Sequence, residues 1–246
     1  MRIDQDRCTG CLECIDFCPM GAIRQSDTGG TAYVDQDACV ECGVCLRVGC
    51  CQFDAIWQPE LEWPRILRSQ FSNPGVSHPS TAIYGRGTDE TKTNDVTGRY
   101  PPGAIGIAAE LGRPGVGTRL RDVETVARAI LPLGVEFEKD NPTYFLFQDL
   151  EQVRMRPDVL DERVLSAILE FKTTLQKAPQ VLKALHRVAA EIDAVMSVNI
   201  GSMIEPNGSL PAQKAAEQAG FHLRPNGKSN LGLGRPLVQG PTGGRE

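Results

Sequence analysis

The pattern of apolar and polar positions changes character near residue 104. Beyond that point the apolar residues keep clear periods. Ile105, Ile107, Ala109 and Leu111 recur at every second position, which predicts a half-buried strand. Val123, Val126, Ala127 and Ile130 fall at helical spacing, and Pro132 with Gly134 predicts the end of that helix. Val135 and Phe137 alternate again, Asn141-Pro142 reads as a turn, and Tyr144-Phe145-Leu146-Phe147 reads as a continuous apolar strand. Val164, Leu165, Ile168 and Phe171 predict a helix, capped at Asp158 or Asp161 and interrupted at Pro179. A second helix follows on Val181, Leu185, Val188 and Ile192. Met196, Val198 and Ile200 alternate with Ser197 and Asn199 as a strand, and Ser209, Pro211 and Gly220 bracket a last short helix.

Upstream of residue 104 the pattern is sparser. Ala22-Ile23-Arg24 and Thr31-Ala32-Tyr33-Val34 flank a Gly-rich turn and predict a hairpin. Ile3, Ile23, Val34 and Ile56 are expected to form a small apolar lid. Residues 58–103 show little periodicity and are punctuated by Pro59, Pro64, Pro74, Pro79, Pro101 and Pro102, so they read as an extended connector. Trp57, Trp63, Ile66, Leu67 and Phe71 are too apolar for a free linker, which predicts that this arm packs on the chain's own body or on a partner. The expected division is therefore 1–57, a connector over 58–103, and an α/β sandwich over 104–246 with a flexible Gly-rich tail.

Composition narrows the class. The chain has 246 residues, a net charge of −5 and an apolar fraction of 41%, the profile of a soluble globular protein. No run approaches the ~18 apolar residues of a membrane span. The mild acidity argues against a nucleic-acid binder, which would show a basic face. No charged-then-apolar leader opens the chain, so a cytoplasmic setting is expected, in an organism or state that avoids oxygen.

All nine cysteines lie in the first 57 residues. Cys8, Cys11, Cys14 and Cys18 are spaced C-x2-C-x2-C-x3-C and followed by Pro19, and a second triplet stands at Cys39, Cys42 and Cys45, with Cys50 and Cys51 beyond it. Thiolates at this density select iron–sulfur clusters or zinc over hard cations. Zinc sites are built from separated C-x2-C pairs, not from repeated triplets. The segment resembles a bacterial-type ferredoxin domain with two 4Fe–4S clusters.

An internal repeat bears on the fourth ligand. Ile3-Asp4-Gln5-Asp6-Arg7-Cys8 is matched 31 positions on by Val34-Asp35-Gln36-Asp37-Ala38-Cys39, and the register holds through Cys45. It then slips, so that Cys18, Ala22 and Ile23 match Cys51, Ala55 and Ile56. The repeat favours Cys51 as ligand, whereas counting from the third cysteine favours Cys50. By the crossed ligation that the resemblance implies, one cluster takes Cys8, Cys11, Cys14 and Cys51 and the other Cys39, Cys42, Cys45 and Cys18. Gln52 stands where the family has its second proline, and the last loop is longer, so the two clusters are expected to differ in potential.

The order strand, helix, strand, strand, helix, strand beyond residue 104 is that of the ferredoxin-like split βαβ motif with an inserted helix. By element order alone it resembles ACT-like small-molecule-binding domains. The fold expectation is thus α+β, a dicluster segment followed by this domain. Other candidate sites are thin. Asn226-Gly227-Lys228-Ser229 mimics the end of a phosphate loop, but His222 stands where its first glycine is required. Gly112 to Gly117 lacks the dinucleotide-binding order, and His78, His186 and His222 are scattered. With no acid–base or nucleophile constellation, the chain reads as a non-catalytic electron-transfer subunit serving a partner oxidoreductase subunit and a soluble electron carrier. A redox- and ligand-sensing regulatory subunit is the second reading, and an oxidoreductase with its own substrate site beside a cluster, in the loop 85–103, is the third.

Overall fold

Two apolar cores organise the chain, one around the cysteines and a larger one around a sheet further along. The computed structural model describes residues 1–27, 29–82, 84, 98–112 and 116–223. The smaller core is made by crossing. Strand β1 (Arg2–Ile3) pairs antiparallel with β4 (Ile56–Trp57), and β2 (Ile23–Gln25) pairs with β3 (Ala32–Val34). Each half of the repeat therefore lends its opening strand to the closing strand of the other. The register is equivalent in both pairs, Ile3 facing Ile56 and Val34 facing Ile23. Ile23, Val34 and Ile56 are buried, with Ile3 packed against them. A four-residue helix, α1 (Val44–Arg47), follows the second cysteine triplet.

The connector is partly helical. α2 (Ile66–Ser72) buries Leu67 and Phe71 in the larger core, and the Ser72 hydroxyl accepts the Leu165 N–H at 2.9 Å. Leu67 and Phe71 of the apolar arm thus lie on the chain's own body, whereas Trp57 and Trp63 stay exposed. Residues 85–97, most of the loop assigned to a substrate site in the third reading, lie outside the described residues.

The body is built from β5 (Ala104–Leu111), β6 (Thr118–Arg119), α3 (Leu120–Ile130) and β7 (Glu136–Phe137). It continues with β8 (Phe147–Asp149), β9 (Arg154–Met155), β10 (Arg163–Val164) and β11 (Ala167–Thr174). α4 (Ala178–Val188), β12 (Met196–Gly201) and α5 (Pro211–Gln218) complete it. Its main sheet has the order β12-β5-β11-β7, every neighbour antiparallel. β5–α3–β7 and β11–α4–β12 are two strand–helix–strand units interleaved in one sheet. The helices lie side by side and bury Val123, Val126, Ala127 and Ile130 with Val181, Leu182, Leu185 and Val188 against Ile105, Ile107, Ala109 and Leu111. At the start of α3, Asp122 reaches back to accept the Arg119 N–H at 3.4 Å, satisfying one of the free donors of a helix end.

Two segments depart from the pattern reading. The helix expected through Val164, Leu165, Ile168 and Phe171 is strand: β10 and β11 occupy it, and β11 pairs with β5 over eight positions from Ala167–Leu111 to Thr174–Ala104. Ala167, Leu169 and Phe171 share one buried face, and Glu170 on the other is buried too. Leu169, Phe171 and Thr173 alternate with Glu170, Lys172 and Thr174 inside β11, and a helical spacing arises only when Val164 of β10 and Leu165 are read on with Ile168 and Phe171. No inserted helix exists there, and Pro179 sits in the first turn of α4, where its missing N–H has no partner to lose. The strand expected over Tyr144 to Phe147 is a 3-10 turn, Tyr144–Leu146, before β8. Asn141 sets that turn by accepting the Thr143 N–H at 2.8 Å and its hydroxyl at 2.6 Å. The third strand of the sheet is β11.

Candidate metal centres

Left-handed backbone between the cysteines aims their sulfurs inward. Gly10 and Leu12 have φ of +73° and +63° in the first triplet, and Glu41 and Gly43, their partners in the repeat, have +53° and +70°. The hydrogen bonds that open each loop also match. Cys8 N–H donates to the Asp4 carbonyl and Cys39 N–H to that of Asp35, both at 3.0 Å.

The nine cysteines are all free thiols, and they ring two hollows. The first, about 330 Å³, is lined by Cys39, Cys42, Cys45 and Cys18, with Met1, Met20, Ile23 and Val34 among the apolar walls. The second, about 340 Å³, is lined by Cys8, Cys11, Cys14, Cys50 and Cys51, with Ile3, Leu12 and Ile56. Each triplet is therefore completed by thiol from the other half. The surroundings differ, since Cys39, Cys42 and Cys45 are buried and Cys11 is exposed.

Cys50 and Cys51 both reach the second hollow but make different bonds. The Ala55 N–H donates to Cys51 Sγ at 3.3 Å, as the Ala22 N–H donates to Cys18 Sγ at 3.2 Å. Cys50 Sγ instead donates to the Cys45 carbonyl at 3.6 Å. On the other wall, the Ala32 N–H donates to Cys8 Sγ at 3.5 Å. Burial pushes the Cys45 thiol up to about 12, with Cys42, Cys39 and Cys18 adding to it, and burial then Cys50 push Cys14 up to about 11. Converging thiols in apolar walls stay protonated until a cation neutralises them, and soft sulfur with no carboxylate in either lining suits an iron–sulfur cluster. Among the described residues, no three of His, Cys, Asp and Glu come together tightly enough to hold a single metal ion.

Four charged residues at the first hollow carry no motif in the sequence. Glu41 is fully buried; burial opposes its ionisation, but the Met1 ammonium, Arg65 and Gln58 bond it and hold its carboxyl below the usual range. Arg68, 5% exposed, donates from Nη1 to the carbonyls of Gln36, Asp37 and Cys39 at 2.9, 3.0 and 2.7 Å. Arg47 donates to the Cys42 carbonyl at 2.8 Å, and Arg65 to the Gln36 carbonyl at 3.0 Å. The repeat does hold a signal for two of them, because Glu41 replaces Gly10 and Arg47 replaces Asp16.

Among the described residues, the remaining sequence candidates come together in no site. His78 is buried against the edge of Phe71, with ring centroids 5.1 Å apart, and His186 lies against Phe221 at 5.7 Å. Residues 226–229 lie outside the described residues, as do 113–115 of the turn between Gly112 and Gly117. Among the described residues, no helix is long and apolar enough to cross a membrane.

Comparison with known proteins fits the amino-terminal reading. Residues 1–24 match the 4Fe–4S binding domain family. Over 45 residues, 18% of this chain and 51% of the relative, the chain is 40% identical to pyruvate synthase subunit PorD of Methanocaldococcus jannaschii. Over 65 residues, 26% of this chain and 43% of the relative, it is 35% identical to an uncharacterized ferredoxin of the same organism. The chain spans about half the length of the curated relatives it matches. No solved structure matches.

Proposed function

From the premise of an amino-terminal 4Fe–4S binding segment, we propose that residues 1–57 hold two 4Fe–4S clusters and pass single electrons to or from a partner oxidoreductase subunit. Cys39, Cys42, Cys45 and Cys18 hold one, and Cys8, Cys11, Cys14 and Cys51 the other. The observation that carries this reading is the pair of thiol-ringed hollows, each completed across the repeat. A bound cluster supplies a one-electron couple without proton transfer at the protein. The chain's own part is to anchor, with eight thiolates set in apolar walls that bury Cys39, Cys42 and Cys45 and leave Cys11 exposed. Cys51 is preferred over Cys50 because Ala55 bonds it as Ala22 bonds Cys18.

Similarity to a subunit of pyruvate synthase supports an enzyme partner. The body, with α2 strapped over it, serves as the docking platform. Its interleaved strand–helix–strand units have the element order of ACT-like domains, and in this proposal they bind a partner subunit. Anaerobic reconstitution followed by iron and sulfide counting tests the reading: about eight irons per chain are expected, two cubanes' worth. Cys51→Ser should fall to about half that while Cys50→Ser keeps the full count. Loss in the Cys50 variant with retention in the Cys51 variant would reverse the ligand assignment, and stoichiometric zinc in native material would end the proposal.

A further inference from the structure

The two hollows share a backbone plan and differ sharply in the charge around it. The connector helix α2 presses Arg68 onto the loop that leads into Cys39, where one guanidinium nitrogen is shared by the carbonyls of Gln36, Asp37 and Cys39. Its Nε is held by Glu162 at 2.5 Å while Nη1 meets the three carbonyls, so the positive end of the pair lies on the backbone of the Cys39 loop. Arg47 adds a second guanidinium at the Cys42 carbonyl, itself braced by Asn73 at 2.7 Å, just beyond the same helix. The first half of the repeat provides an internal control. Asp16 occupies the place of Arg47, and among the described residues no arginine bonds the carbonyls of Gln5, Asp6 or Cys8, the partners of Gln36, Asp37 and Cys39. The body reaches the first hollow a second time through Met20, a wall residue whose Cε would lie 2.6 Å from any Cβ at Gly117.

We propose that Arg68 and Arg47 are positioning residues that selectively raise the reduction potential of the centre held by Cys18, Cys39, Cys42 and Cys45, making the strap of the body its potential-setting device. This rests on the two-cluster reading above. The physical argument is one of sign. Reduction adds one negative charge to the centre and breaks no bond. Burial of Cys39, Cys42 and Cys45 disfavours that added charge, because a low-dielectric wall stabilises it less than water does. A buried guanidinium donating to the peptide carbonyls beside the ligands acts in the opposite direction and is little screened, while the negative Glu41 at the same hollow is offset by the Met1 ammonium and Arg65 that pair with it. Among the described residues the second centre has no such guanidinium, so its reduced form is stabilised only by solvent at the exposed Cys11 and by the Ala32 and Ala55 N–H groups, the latter matched at the first centre by Ala22.

Potentiometric titration of the full chain, followed by electron paramagnetic resonance, tests this. Arg68→Met keeps the apolar stem and removes the charge; the potential of one centre should fall while the other stays put. Arg68→Lys, which restores the charge, should recover most of the shift, something a purely structural role would not predict. Arg47→Gln lies at an exposed position and should give a smaller fall at the same centre, which keeps the test open if Arg68→Met folds poorly. Equal movement of both centres, or of neither, overturns the assignment. Wild-type material with a single centre would instead overturn the two-cluster reading, and this inference with it.

Discussion

Gly10→Ala probes the closest backbone approach in the thiol segment. At φ +73° an alanine there pays the left-handed penalty of about 1 kcal/mol. Its Cβ would also overlap the Gly30 carbonyl oxygen and lie 2.6 Å from the Gly30 carbon. The oxygen is the limiting contact, so the turn at Gly29 and Gly30 must retreat by roughly 2 Å to reach van der Waals distance. Two residues on, Ala32 donates to Cys8 Sγ at 3.5 Å and accepts from Gln5 Nε2 at 3.0 Å. Losing both bonds adds about 1 kcal/mol each, for a total near 3 kcal/mol. Gly21→Ala is the control: its φ is +58°, nothing lies within 4 Å of its Cβ, and only the penalty of about 1 kcal/mol applies. The difference, about 2 kcal/mol, should appear as roughly 30-fold faster exchange of the Ile23 and Val34 amides in Gly10→Ala than in Gly21→Ala. Iron should be lost from the Cys8, Cys11, Cys14 centre alone. Equal exchange and equal iron in the two variants would refute the reasoning.

Two further outcomes follow from burial. His78 is 3% exposed, its Nε2 has no partner among the described residues, and burial lowers its pKa to about 4. It is neutral in the fold and protonates in the unfolded chain below its ordinary value near 6.5, so stability is lost as pH falls from 6.5 toward 4 and is then constant. The loss between pH 7 and pH 5.5 should be about 1 kcal/mol in urea titrations and should vanish in His78→Leu; an unchanged slope in that variant would show the histidine is not its source. Stripping iron should release the small core, which has few apolar residues of its own, while the larger core holds. Hydrogen exchange should then show residues 1–57 unprotected and β5 and β11 still protected, and loss of protection in both would mean the two cores fold as one unit.

The thiol segment was legible from sequence because its chemistry is local. Cysteine spacing, Pro19 and the repeat are properties of neighbouring residues, and they foresaw the hairpin and the four-residue apolar lid. α3, α4, β12 and α5 were legible for a related reason, each keeping one clear apolar period, and β5, buried on both faces, kept its period because Gly106 and Ala108 between its larger residues are small. β11 was not, since Val164 and Leu165, outside it, line up with Ile168 and Phe171 at helical spacing and mask the alternation of Leu169 and Phe171 with Glu170 and Lys172. Its identity comes from hydrogen-bonding to β5 more than fifty residues earlier. Arg68 was illegible for the same reason in another form. Between Pro64 and Pro74 it reads as one more basic residue of a connector, and only the folded body, with Glu162 behind it and the Cys39 loop before it, gives its charge a direction. Local pattern determines which groups are present, but charge and ladder pairing act through space, so their consequences exist only once distant segments have met.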